Sequence, residues 1–438
     1  METNRKRRWA VDLTPLRASR DFRLLLLTQT VSSLGGFITY VAVPLQVALI
    51  THSPLQVGLL GLCELAPLLI TALIGGALAD YLDRRLMVLA GEATMMLTCL
   101  ALLLNAASPH PRLWVLFVIA AVSSAVDGLQ RPAIEGLVQR VVPLDQMTSA
   151  EALRSIGSTS ASLVGPAIGG VLIATIGFSW AYAIQLVTLA ASFVGLLLIA
   201  ATPPPPDPDR PSVASIVAGL KYARSRPELM GTYIIDICAM FFGMPMALFP
   251  FVAGHLGGTP VLGLLYAAPS AGALIATATS GWAGRVHRHG LAVIVAAVVW
   301  GVAIVGFGLA HQLWLALLCL AIAGAGDMIS GVFRGTIWAQ TIPDRLRGRL
   351  AGVEMLSYSI GPTLGNVESG LAARAFGVGG SIVTGGIACV AGTILLASCL
   401  PAFRRYDGRA GIARRRAEEA AYAMGAGYAE PAAAPAPA

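Results

Sequence analysis

The chain has 438 residues, 56% apolar and only 12% charged, with a mean hydropathy of +0.73 and a formal net charge of +7. A soluble domain carries about 25% charged residues, so a water-soluble globular protein is excluded. The positive balance reflects membrane topology, not nucleic acid, because the Lys and Arg residues cluster between long apolar runs.

Residues 1–23 are polar and basic, with Arg5, Lys6, Arg7, Arg8, Arg17, Arg20 and Arg23. The first apolar run, 24–50, is too long for the apolar region of a cleavable signal. A helix needs about 20 mostly apolar residues to cross the hydrocarbon core. Five more runs of that order follow at 55–79, 86–107, 113–137, 156–176 and 180–201. They are about twice as long as a membrane β-strand and do not alternate in polarity, which excludes a β-barrel.

The longest hydrophilic break is 202–228. It opens on Pro203–Pro206 and continues to Ser212, a plausible N-cap, followed by Val213, Ile216, Val217 and Leu220 at helical spacing. Lys221, Arg224 and Arg226 flank that face. A short amphipathic helix is predicted, lying on the cytoplasmic membrane surface or on the protein's own cytoplasmic face. Six further runs occupy 229–253, 261–284, 291–310, 313–333, 350–373 and 378–400. The predicted fold is all-α: a polytopic membrane protein with twelve transmembrane helices in two pseudo-symmetric six-helix bundles. The expected domains are a basic N-terminus (1–23), bundles at 24–201 and 229–400, the linker 202–228 and a disordered cytoplasmic tail (401–438). With both termini in the cytoplasm, all but Arg112 and Arg374 of the 30 Lys and Arg lie on the cytoplasmic side. That asymmetry sets orientation, so both termini are expected to be cytoplasmic.

The halves echo one another. Gly58 and Gly76 in span 2 are spaced like Gly263 and Gly281 in span 8. Gly165-Pro166-Ala167-Ile168-Gly169 in span 5 parallels Gly361-Pro362-Thr363-Leu364-Gly365 in span 11, and Pro143 and Pro343 precede the two copies. Matched features in two halves mark transporters built by duplication, with the site at the interface between repeats.

The loop after span 2 reads Gly76-Ala77-Leu78-Ala79-Asp80-Tyr81-Leu82-Asp83-Arg84-Arg85. It resembles the loop motif of the major facilitator superfamily, Gly-x-Leu-Ala-Asp-Arg-x-Gly-Arg-Arg, departing from it at Tyr81 and Asp83. The resemblance implies a gating motif: Asp80, held by Arg84 or Arg85, latches span 2 to the N-terminus of span 11, where a carboxylate is favoured. Gly165, Pro166, Gly169 and Gly170 are similar to the superfamily's export motif. Val41–Val47, Asp127–Ala133, Val141–Pro143 and Pro343–Arg349 together resemble the branch that holds enterobactin exporters and drug efflux proteins. The resemblance implies a proton-driven exporter of a siderophore or similar small molecule in the bacterial cytoplasmic (inner) membrane. A multidrug pump of the same fold is the alternative, and a non-transporting scaffold or signalling protein the remote one.

Glu64, Glu92, Asp127, Asp236, Asp327, Glu354 and Glu368 lie within apolar runs. A charge at the bilayer centre costs about 2.5–3.5 kcal/mol on insertion scales, so each must pair, face a cavity or bind a proton. Asp127 and Arg131, four apart, are expected to pair directly; Asp327 and Arg334, seven apart, share a face. Glu354 is assigned to the Asp80 latch and Glu92 to a structural role. Glu64 and Asp236, with no basic residue within four positions, are the leading proton or substrate candidates, ahead of Asp127, Arg131, Asp327 and Glu354. Trp282 and Trp338 are read as interfacial, and Trp300 as lipid-facing.

No phosphate-binding loop, H-E-x-x-H or G-x-S-x-G occurs, and the six cysteines lack metal-ligand spacing. The chain is read as a monomeric non-enzyme with no catalytic residues, cofactor or metal. Its expected partners are membrane lipid, a small-molecule substrate and protons, and not nucleic acid.

Overall fold

The computed structural model describes residues 12–200 and 221–423. Among these, ten helices are long and apolar enough to cross a membrane. Spans 1 to 4 are Arg20–Thr51, Pro54–Tyr81, Arg84–Ala107 and Leu113–Val141. Ser19 caps span 1 by accepting from the Phe22 N–H at 3.1 Å. Met147–Leu197 contains one non-helical residue, Gly177, at φ 81° and ψ 173°. That conformation suits glycine alone and turns the chain back. A Cβ on Gly157 would meet Thr30 and one on Gly195 would meet Thr28, so the arms 147–176 and 178–197 lie against span 1 at one level, as spans 5 and 6.

Asp344–Cys399 is built the same way around Gly377, at φ 74° and ψ 170°. Across this reversal Ser381 Oγ donates to the Ser369 carbonyl at 2.8 Å. Its arms are spans 11 and 12. Between the two pairs run span 7 (Pro227–Leu256), span 8 (Thr259–Ala278), span 9 (His289–Gly308) and span 10 (Leu313–Thr341). The ten helices thus supply twelve membrane-length arms, an all-α architecture compatible with the expected count.

Span 7 is not continuous. It breaks after Gly243, passes through the tight turn Met246–Leu248 beside Pro245, and resumes at Phe249. Irregular backbone at membrane depth needs a partner for its freed groups. Asn366 of span 11 provides one, its Oδ1 accepting from the Ala247 N–H at 3.0 Å. The linker helix expected at 212–220 lies outside the described residues. The tail expected to be disordered from 401 is instead helical at Pro401–Arg404 and Gly408–Ala423. Contacts hold it there: Arg415 donates to the Ala339 carbonyl at 2.6 Å, and Arg414 lies 3.6 Å from Glu228.

Twelve alternating arms put the start of span 1 and the end of span 12 at one end of the bundle, the terminal end. Span 5 packs on span 1 through Gly165 and Gly169, facing Phe37 and Ile38, and on span 8 through Gly170, whose Cβ would lie 2.8 Å from Gly263 Cα. Span 11 mirrors this. Gly361 and Gly365 face Met240 of span 7, while Gly370 approaches Pro54 and Leu55 of span 2. Gly58 and Gly263, matched in sequence, play matched parts, since a Cβ on either would strike the opposite half's backbone. Close glycine contacts of this kind are how membrane helices approach.

The halves therefore meet at the far end. Among the described residues, their close glycine contacts (Gly58, Gly61, Gly170, Gly263, Gly370), the hydrogen bond from Tyr40 to Met246 and the Tyr40–Tyr266 ring contact all lie in that half of the bundle. The buried core follows the same division. One cluster joins Ile38 and Val41 to Leu248 and Tyr266 across the halves, while a second, with Phe22, Val88, Leu137 and Leu196, belongs to the first half alone. At the terminal end Ser155, Ser158 and Ser160 of span 5, and Thr277 and Thr279 of span 8, are exposed. The bundle is closed at the far end and open at the terminal end.

Candidate transport cavity

The space between the halves is lined by ionisable side chains from both. On the first half, Glu64 of span 2 and Asp127 and Arg131 of span 4 are exposed. An exposed mid-span charge belongs in water and not in lipid, so these groups mark the cavity. Ser124 Oγ donates to the Glu64 carbonyl at 2.8 Å, joining spans 2 and 4 beside them. Glu64 interacts electrostatically with Asp127, and Asp127 with Arg131. Arg131 acts electrostatically on Asp127, as their four-residue spacing suggested, but no close ion pair joins them among the described residues.

The second half holds a tighter cluster. Asp236 of span 7 and Arg334 of span 10 are 5% and 4% exposed and form an ion pair. The free carboxylate oxygen of Asp236 accepts from Ser357 Oγ of span 11 at 3.1 Å. Arg334 Nη2 also lies 3.5 Å from Asp327, whose side chain is 46% exposed. One guanidinium thus bridges a buried carboxylate and a carboxylate open to the cavity. Its carbon sits 5.7 Å from the Tyr358 ring centre, a cation–π distance. Glu354 lies within electrostatic reach of Tyr233 and Tyr358, so it joins this cluster. The sequence offered Asp236 no local partner; Arg334 arrives from another span, nearly 100 residues on. The available signal was an acid, Asp236, on one span and an arginine, Arg334, sharing a face with Asp327 on another.

The cavity's closed floor is aromatic. Tyr40 of span 1 meets Phe37 edge-on with centroids 5.9 Å apart, and Tyr266 of span 8 at 5.2 Å. The Tyr40 hydroxyl donates to Met246 Sδ at 3.2 Å, and the Tyr266 hydroxyl to the Met246 carbonyl at 3.3 Å. These residues close one half on the other, and no motif in the sequence singled them out.

Other expectations fare differently. Glu92 is buried away from the cavity and accepts from Ser32 at 3.0 Å and Ser192 at 3.1 Å, tying span 3 to spans 1 and 6. Arg84 donates to the Gly136 carbonyl at 3.0 Å, and Arg85 to the Leu196 and Leu197 carbonyls at 3.2 and 2.6 Å. Both arginines therefore satisfy carbonyls near helix ends. Asp83, where the superfamily motif has Gly, caps span 3 by accepting from Arg85 N–H at 2.8 Å. Gly76 and Asp80 fall at the terminal end of span 2, but the Asp80 side chain lies outside the described residues. Trp300 is 5% exposed, against Gly243, and not lipid-facing. Trp338 is 8% exposed and donates to Thr232 at 2.9 Å, so it is a packing residue and not an interfacial one.

The chain matches the family described as transmembrane secretion effector over residues 10–421. It is 28% identical to an enterobactin exporter of Citrobacter koseri over 391 residues, covering 89% of this chain and 94% of the relative. An enterobactin exporter of Shigella boydii serotype 18 is also 28% identical, over 393 residues and the same shares. In structure the chain resembles a POT family transporter crystallised with a thioalcohol-conjugated peptide, with TM-score 0.70, 12% identity, and coverage of 88% of this chain and 96% of that one. It likewise resembles a nucleoside transporter, with TM-score 0.64, 14% identity, and coverage of 86% and 99%. At such identities the structural likeness speaks to the fold.

Proposed function

Because this chain belongs to the transmembrane secretion effector family, a branch of the major facilitator fold, we propose that it exports a siderophore-like small molecule by proton-coupled alternating access. The observation that carries this is the cavity: two matched halves, closed at the far end and open at the terminal end, with titratable groups from both facing the space between. The likeness to enterobactin exporters supports the substrate class. The distribution of Lys and Arg supports cytoplasmic termini, which makes the conformation inward-open, ready to take substrate from the cytoplasm. The protein then sits in the bacterial inner membrane and works as a monomer.

In this reading Glu64 and Asp236 are the leading proton or substrate groups. Asp127, Arg131, Asp327 and Glu354 tune the field around them. Proton binding on Asp236 or Asp327 weakens its hold on Arg334 and links titration to the packing of spans 7 and 10. Asp80 latches the terminal end when the cavity opens the other way, and the Gly165–Gly170 segment forms the far-end seam with span 8. One observation favours the multidrug alternative: acids outnumber arginines around the cavity, a balance suited to cationic or neutral substrates. Inside-out membrane vesicles separate the readings. Energised uptake of an iron-free siderophore, not matched by cationic dyes, supports the first; uptake of the dyes alone supports the second.

A further inference from the structure

The lipid-facing wall carries a groove separate from the transport cavity. It lies between spans 9 and 10 at the terminal end and has a volume of 430 Å³. Val295, Val299 and Ile322 form its walls and are 53%, 39% and 43% exposed. Ala325 and Gly326 leave the trench between them. Arg288 is the one charged residue among those lining it, and it stands at the rim with Trp282. Arg288 is exposed and makes no ion pair or side-chain hydrogen bond among the described residues.

The dimensions select an occupant. From Arg288 to Val299 is about 16 Å at 1.5 Å per helical residue, roughly half the ~30 Å hydrocarbon thickness. The groove thus runs from the membrane surface to the midplane, through one leaflet. Trp282 sits at the depth that amphipathic rings prefer. A second copy of the chain pressed here would bury Arg288 with no acid of this groove to meet it. A phosphate ester meets a guanidinium in a charge-assisted pair, and its acyl chain needs no hydrogen-bond partner. Arg285, exposed in the same loop, adds a second positive charge near the surface, which favours a headgroup of net negative charge.

We propose that this groove binds one anionic phospholipid, its acyl chain in the trench between spans 9 and 10 and its phosphate on Arg288. This holds whatever substrate the cavity carries. The test is native mass spectrometry of the purified full chain with equal dioleoylphosphatidylglycerol and dioleoylphosphatidylcholine. The wild type is expected to retain one phosphatidylglycerol with about tenfold preference, because the choline cation of phosphatidylcholine offsets the phosphate charge that Arg288 meets. Arg288→Gln should bring the two lipids to parity, and Arg288→Lys should keep most of the preference. Ala325→Leu, which fills the trench, should lower retention of both. Equal retention by the wild type, or a preference unchanged in Arg288→Gln and Ala325→Leu, means annular lipid only and overturns the site. A lipid-free dimer abolished by Ala325→Leu assigns the groove to a second copy and also overturns it.

Discussion

Replacing Gly263 by alanine loads the far-end seam directly. A Cβ at Gly263 would strike the Pro166 carbonyl oxygen and lie 3.0 Å from Ala167 Cα and 3.1 Å from Gly170 Cα. These are backbone atoms of span 5, which cannot swing aside as a side chain can. Overpacking a tight contact costs about 1–3 kcal/mol. The contact exists only while the halves meet at the far end, so the penalty falls on that state and spares the one opened there. A differential of this size moves the ratio of the two states about 5- to 150-fold. Spin labels at Ser108 and His311, exposed on the two halves at the far end, report the ratio by double electron–electron resonance in liposomes. Gly263→Ala should shift weight to longer distances. Gly254→Ala is the control, because its Cβ would meet nothing within 4 Å. A distribution identical to wild type in Gly263→Ala would refute the seam as the closing surface.

Arg334→Leu strands the buried carboxylate of Asp236 and should destabilise the protein by about 3–5 kcal/mol; adding Asp236→Asn should recover most of the loss in a thermal melt, and no recovery contradicts the pair. Asp80→Asn should insert normally but lose most export, and wild-type transport by this variant rejects the latch. Glu64→Gln and Asp236→Asn, taken singly, should lose gradient-driven export yet retain substrate exchange; full gradient-driven export by both moves coupling to Asp127, Asp327 or Glu354.

The helices were legible because hydrophobic length alone dictates them, and the duplication because Gly58/Gly263 and Gly165/Gly361 do the same packing in each half. Charge partners were legible only when both lay on one helix face, as with Asp327 and Arg334. Asp236 looked isolated because its partner comes from another span, and spacing along one helix carries no such information. For Asp127 and Arg131 the four-residue spacing correctly named the charge that acts on Asp127, but both side chains are exposed and no close ion pair joins them among the described residues. The aromatic floor was not legible because Phe37 and Tyr40 share one turn of span 1 but their partner Tyr266 comes from span 8 in the other half. The helical tail was missed because Ala-rich composition does not report the docking of Arg414 and Arg415 on spans 7 and 10.

The central claim is gradient-driven movement of a siderophore-like molecule through the cavity, and purified protein in liposomes tests it most directly. An imposed proton gradient should drive a labelled siderophore across the membrane, with protons moving the opposite way, and an uncoupler should abolish both fluxes. Siderophore transport that proceeds at full rate without a gradient, or that moves no protons, would contradict the account.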